Sequence, residues 1–219
     1  FVPTDNCKTL KEAVDRVHRD DRLTTIVVRQ GEHQIDDYCL VIRSAMNIVG
    51  DPGVAKEEIV VVGGIKFKEG IPGNCHLQHL TLRQAKGSGV YGCSSFTMED
   101  VHVEQCGHCG VLAMGTGVVG RCTNVEVRQC GGSGVVAYRD ASITLIGAKT
   151  TVHHNCTKGE CYYSGLQVDG SSSTIQLVAP LTKEEVSVDN GGGGNWGAEG
   201  GGDINQINTI DPEAARSRT

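Results

Sequence analysis

The chain has 219 residues, of which 30 are glycine, ten are cysteine and only 4% are aromatic, with a formal net charge of −6. The acidic balance argues against nucleic acid as a partner, because phosphate binding needs clustered Lys and Arg. No run of 18 apolar residues offers a membrane span.

Three segments follow in chain order. Residues 1–23 form an amino-terminal segment with a helix, 24–190 carry repeats, and 191–219 form a glycine-rich segment and tail. Nothing at Phe1 reads as a signal peptide, so the compartment stays open between cytoplasmic and secreted. Residues 9–20 (TLKEAVDRVHRD) read as the helix, with Thr9 and Glu12 as a capping box. Leu10, Ala13, Val14 and Val17 share one of its faces. Strand-rich stretches follow at 24–35, 39–51 and 58–69.

A phrase then repeats. LTLRQA at 80–85 is answered by VHVEQC at 101–106 and VEVRQC at 125–130, with echoes at 150–155 and 186–191. After each of the first four comes a Gly-aliphatic pair: Gly89-Val90, Gly110-Val111, Gly134-Val135 and Gly165-Leu166. A period of this length containing short strands predicts stacked coils. Period-two alternation sends Leu80, Val101 and Val125, then Leu82, Val103, Val127 and Val152, then Val90, Val111, Val135 and Leu166, inward. Thr81, His102, Glu126 and Thr151 face outward, as do Arg83, Glu104, Arg128 and His153. Stacking about 4.8 Å apart makes Arg83, Glu104 and Arg128 a charge-alternating column. Its bland reading is surface ion pairing. Ala85, Cys106, Cys130, Asn155 and Gly191 are expected to form an inward ladder at a turn.

These residues resemble the right-handed parallel β-helix of the pectin-lyase-like superfamily over about 24–191. The resemblance implies an all-β solenoid of roughly seven or eight three-strand coils with the amino-terminal helix as a lid. It also implies enzymes of acidic polysaccharides as relatives, with active sites on the outer face of the first sheet or its flanking turns. In the register read here, that face (SSFTM, GVVGRC, SITLI, STIQLV) shows Ser, Thr, Val, Gly, Ile and Gln. The motifs of mannuronan epimerases, polygalacturonases and pectate lyases do not occur in the chain.

The ten cysteines read mostly as free thiols, with Cys106, Cys130 and Cys122 inward. Cys156 with Cys161, and Cys7 with Cys39, are the pairs open to disulfide formation. Cys106-Gly-His-Cys109 lacks a second CxxC and is weak as a metal site. His153 and His154 are expected on opposite faces of a strand. No metal or cofactor is expected. Asn155-Cys156-Thr157 matches a glycosylation sequon, but Asn155 is read as inward. Trp196 is expected to pack over the carboxy-terminal end.

One constellation remains. Tyr138, Arg139 and Asp140 leave a third strand, Asp169 leaves the same strand one coil later, and the loop at 157–165 brings Tyr162 and Tyr163 near His153. Aromatic rings suit a sugar face, Arg139 a carboxylate, and His153 or Tyr163 proton transfer. The bland alternative is a solvated turn cluster. The expected function is a non-catalytic β-helix presenting a lateral surface to a polysaccharide or protein partner, with oligomeric state open. The alternatives are a lyase, epimerase or hydrolase of an acidic polysaccharide, and a scaffold domain of a larger intracellular protein.

Overall fold

The apolar columns read from the sequence become the core. In the computed structural model, which describes residues 1–216, Leu80, Val101, Val125, Leu82, Val103, Val127, Val152, Val90, Val111, Val135 and Leu166 are all fully buried. The chain is mostly β, and every pairing between named strands is parallel. Each strand pairs with those one repeat before and one repeat after, an arrangement compatible with a β-solenoid.

Three strands per repeat form three stacks. The first runs from Thr25–Val28 through Asn47–Gly50, the start of Cys75–Arg83, the start of Phe96–Glu104, Val119–Thr123, Ser142–Ile146 and Thr174–Val178 to Ile207–Ile210. The second holds Gly31–Gln34, Ile59–Val62, the far halves of the two long strands, Glu126–Arg128, Thr151–His153 and Ser187–Val188. The third is a separate seven-stranded sheet from Leu40–Ile42 to Trp196–Glu199. Where the sequence predicts a break after SSFTM, the strand runs unbroken through Phe96–Glu104. It bends at Asp100, whose φ is 53°. His79 and Asn124 turn the same corner with φ of 53° and 52°. His, Asp and Asn are among the non-glycine residues that best tolerate this left-handed region.

The Gln of the repeated phrase makes the second corner. Gln84, Gln105 and Gln129 have φ of 54–56°. Their side-chain amides stack, with Gln84 Nε2 donating to Gln105 Oε1 at 3.4 Å and Gln105 Nε2 to Gln129 Oε1 at 3.3 Å. The Gly of the Gly-aliphatic pair has a steric cause. A Cβ on Gly110 would lie 2.2 Å from Val127 Cγ1 and 2.8 Å from the Gly134 carbonyl oxygen.

The inward ladder is Ala85, Cys106, Cys130 and Asn155, but its last place belongs to Asn190 rather than Gly191. Val152 pairs with Ser187, so the final echo is shifted by one residue. The shift is decided by hydrogen bonding. Asn190 Oδ1 accepts from the Asn155 backbone N–H at 3.0 Å, and its Nδ2 donates to the Val152 carbonyl at 3.1 Å. Asn155 repeats the pattern one step earlier, accepting from Cys130 N–H and donating to the Val127 carbonyl. It is 1% exposed, inside as expected.

A phase change also corrects the first stack. Gly120 points inward, between Phe96 and Ile143, because the Phe96 ring fills the space a side chain would need. Arg121 therefore faces outward, between Thr97 and Thr144, on the face expected to lack ionisable groups. His76 lies next to Thr97 in the same row. All ten cysteines are unbonded, so neither Cys156–Cys161 nor Cys7–Cys39 forms a pair. Burial pushes the Cys122 thiol up to about 12, which makes it an inert filler.

Helix α1 (Leu10–Val17) buries Leu10, Ala13, Val14 and Val17. Thr9 Oγ1 accepts from Glu12 N–H at 3.1 Å, while the Glu12 carboxylate reaches back to Lys8 N–H at 2.7 Å. Two shorter helices, α2 (Lys183–Val186) and α3 (Pro212–Arg216), lie at the other end. Trp196 takes the position after Leu166 in the third stack, partly buried against the core, with Lys183 Nζ 5.2 Å from its ring centroid. No helix among the described residues is long and apolar enough to cross a membrane.

Candidate functional site

The turns that lead from the third stack into the first line an open groove of about 570 Å³. Its walls are the turns at 69–73, 93–95 and 114–118, closed at one end by Arg139. Gly115 and Gly117, with φ of 113° and 78°, let one turn double back, and Arg139 and Asp140 do so with φ of 53° and 66°. Strand Val135–Tyr138 delivers Tyr138 to the groove edge, and the Arg139 guanidinium lies 4.9 Å from the centre of its ring. Two strands earlier in the stack lies Tyr91, and Lys66 Nζ, from the strand before that, is 4.6 Å from its ring centre. The Tyr91 hydroxyl reaches Met114 Sδ at 3.2 Å. Burial raises the Tyr91 phenol, helped by the Cys93 thiol. This flank therefore carries two tyrosines with a cation beside each.

Of the sequence-predicted residues, Tyr138, Arg139, Asp140 and Asp169 stay together. Tyr138 and Asp169 are ladder neighbours. Asp169 accepts through its carbonyl from Arg139 N–H, and Asp140 N–H donates to Ser173 Oγ. Tyr91, Lys66 and Met114 were missed, although Tyr91 follows Gly89-Val90 directly and its outward phase was readable.

Tyr162 and Tyr163 sit elsewhere. Their rings are 4.5 Å apart, and the exposed Tyr162 hydroxyl donates to Glu160 at 2.6 Å. Tyr163 hydrogen-bonds His108 Nε2 at 2.9 Å, edge to face, rather than approaching His153. Burial lowers His108, and burial pushes the Cys109 thiol beside it up to about 12. Among the described residues no group of three or more His, Cys, Asp or Glu is arranged to hold a metal ion.

His153 lies on a third face, the outer side of the second stack. His154 does not point away from it. Its φ of 54° turns the ring back, and the two Nδ1 atoms are 2.8 Å apart. His153 Nε2 is 3.0 Å from Glu126, whose other oxygen is 3.2 Å from His102 Nε2. Glu104, 3% exposed, takes Arg83 at 2.6 Å and Arg128 at 2.6 Å. Burial works against its charge, but the hydrogen bonds from Arg128 and Arg83 outweigh it and hold the carboxyl below the usual range. His79 Nδ1 meets Asp100 at 2.7 Å and its Nε2 meets the Val54 carbonyl at 2.8 Å. Both partners are acceptors, an arrangement that favours the doubly protonated ring. Burial opposes that charge, but the Val54 and Asp100 contacts outweigh it and raise His79 above the ordinary imidazole value. Here the ionisable groups are consumed by one another.

Comparison with protein families, with curated proteins and with solved structures finds no match to this chain.

Proposed function

We propose that the chain is a right-handed parallel β-helix of the pectin-lyase-like kind, with roughly seven or eight coils and α1 as its lid. We further read it as a non-catalytic module that holds a carbohydrate along its lateral groove. The all-parallel pairing, the three strands per repeat and the inward ladder support the architecture.

The observation that carries the binding reading is the pair of cation-flanked tyrosines, Lys66 with Tyr91 and Arg139 with Tyr138, beside an open groove. An aromatic ring offers an apolar face to the C–H side of a sugar, and a few polar groups fix its orientation. Glu104, Glu126 and their partners on the second stack are tied into ion pairs, whereas the cations of the groove flank lie over aromatic rings. Binding of the full chain to a panel of plant, algal and bacterial oligosaccharides, read by calorimetry, tests this. Tyr138→Ala or Arg139→Ala is expected to weaken the best ligand about tenfold or more, near 1.4 kcal/mol. Retention of no glycan, or equal binding by both variants, would sink the reading. Appearance of an unsaturated or shortened product would replace it with a catalytic one.

A further inference from the structure

The two ends of the strand stacks are finished differently. At the amino-terminal end Val2 bridges to Val28, and α1 packs beside the first strand. At the other end, among the described residues, Ile207–Ile210 pairs only with Thr174–Val178, and Trp196–Glu199 only with Leu166–Asp169. The Ile210 carbonyl accepts from Ala179 N–H at 2.9 Å. The alternation of a parallel ladder then turns the peptide groups of Thr209 toward the free edge. An edge in this state is a template for another strand. No described residue after Asp211 covers it. Helix α3 runs back over the outer face, where the Ala215 carbonyl accepts from Arg121 at 3.0 Å, three strands inward from the edge.

Two further observations define what fits. A cavity of about 240 Å³ opens beside the edge, lined by Leu177 and Ile207 beside the polar Lys183, Glu184, Asn208 and Thr209. Leu177 and Ile207 leave room for one short aliphatic side chain between polar walls. Around it the charge is lopsided, since residues 181–216 hold seven carboxylates and two basic side chains. Of those two, Lys183 is held over Trp196. Glu184, Glu185, Asp211 and Glu213 are all exposed.

We propose that this end captures an extended basic peptide segment of a partner protein. The segment adds as a strand along Ile207–Ile210, places an aliphatic side chain in the cavity and sets its Lys or Arg residues against the carboxylates. This surface is separate from the lateral groove and stands without it.

The test uses the full chain and a fluorescein-labelled octapeptide of alternating Lys and Val, read by anisotropy. A saturable rise is expected that weakens at high salt, as exposed charge pairing does. Thr209→Pro removes the edge N–H at a position where edge strands tolerate proline. It is expected to cost at least tenfold, as is E184K combined with E185K, measured at a temperature where melting curves show each variant fully folded, since Thr209→Pro also loses the Thr209 Oγ1 bond to the Leu181 carbonyl and E185K the bond from Thr182. Methylating alternate amides of the probe removes the same backbone hydrogen bonds without touching the protein, and should abolish binding. Absence of saturable binding would overturn the proposal, as would equal binding by a Glu-Val octapeptide or by the methylated probe. So would sedimentation showing dimers that the probe does not dissociate but that Thr209→Pro does, since a second copy would then occupy the edge.

Discussion

The outer side of the second stack and the groove flank are built on the same repeats, yet they treat charge in opposite ways. On the second stack Glu104 is buried between two arginines, while the half-buried Glu126 sits between two histidines and Asp100 between Lys56 and His79. On the flank, Lys66 and Arg139 sit over aromatic rings. The difference follows from what neighbouring positions present. Regular strands set side chains at fixed ladder spacing, where opposite charges on neighbouring rungs pair. On the flank Lys66 meets the ring of its ladder partner Tyr91 instead of an acid, and Arg139 turns back over Tyr138 at a left-handed corner. Paired charge holds the molecule together, and charge left over a ring is available to something else.

The interior common to both regions sets the scale for breaking this contrast. Gly110→Ala drives a methyl into Val127 and the Gly134 carbonyl and is expected to cost about 3 kcal/mol, as overpacking does, seen as a lowered urea midpoint. Glu104→Gln comes next. It leaves Arg83 and Arg128 without their buried partner, and because both arginines are about one-third exposed the loss is put at about 2 kcal/mol, below that for a fully buried pair. The folded pKa of Glu104 is depressed, so its contribution is present above the ordinary value of 4.5 and is lost as pH falls through the lower folded value. The wild type and Glu104→Gln should therefore converge in acid.

His79→Gln should cost about 1 kcal/mol through its lost hydrogen bonds, with the opposite pH sign. Its folded pKa is raised, so the stabilisation is fully present below 6.5 and fades as pH rises through the folded value. Urea midpoints between acid and mildly alkaline buffer should show the wild-type advantage shrinking upward. The smallest effect on stability belongs to Tyr138→Ala, within about 0.5 kcal/mol as for other surface changes, although the proposed glycan binding should weaken about tenfold or more. A large loss of stability there would erase the contrast between the two regions.

The repeated phrase made the stacks legible because it states both period and phase. Val127 and Glu126 fall on the sides that alternation assigns them, and Arg83, Glu104 and Arg128 pair as read. Legibility failed where a single residue sets a corner. A left-handed His154 returns its ring to the side of His153, which strand alternation cannot foresee. The final echo misplaced its ladder residue by one, because Asn190 is chosen by a hydrogen bond from Asn155, in the turn 35 residues earlier. Gly120 went wrong because its phase is set by the Phe96 ring in the preceding repeat. The candidate site was half legible for a similar reason. Tyr138, Arg139, Asp140 and Asp169 share one ladder and its turn, whereas Tyr163 finds His108 across two turns, a contact set by how the loop at 157–165 folds back.

The lone tryptophan gives the molecule a built-in optical probe with local reach. Trp196 occupies the final rung of the third stack with Lys183 beside its ring, and no other indole exists in the chain. Its emission therefore reports the wetting of the last rung alone, while backbone circular dichroism averages over every strand. In stacked repeats that contact only their neighbours, the terminal unit can fray before the middle. A red shift of emission that precedes the loss of strand signal on heating would time that fraying directly, and would show how far the molecule comes apart from one end.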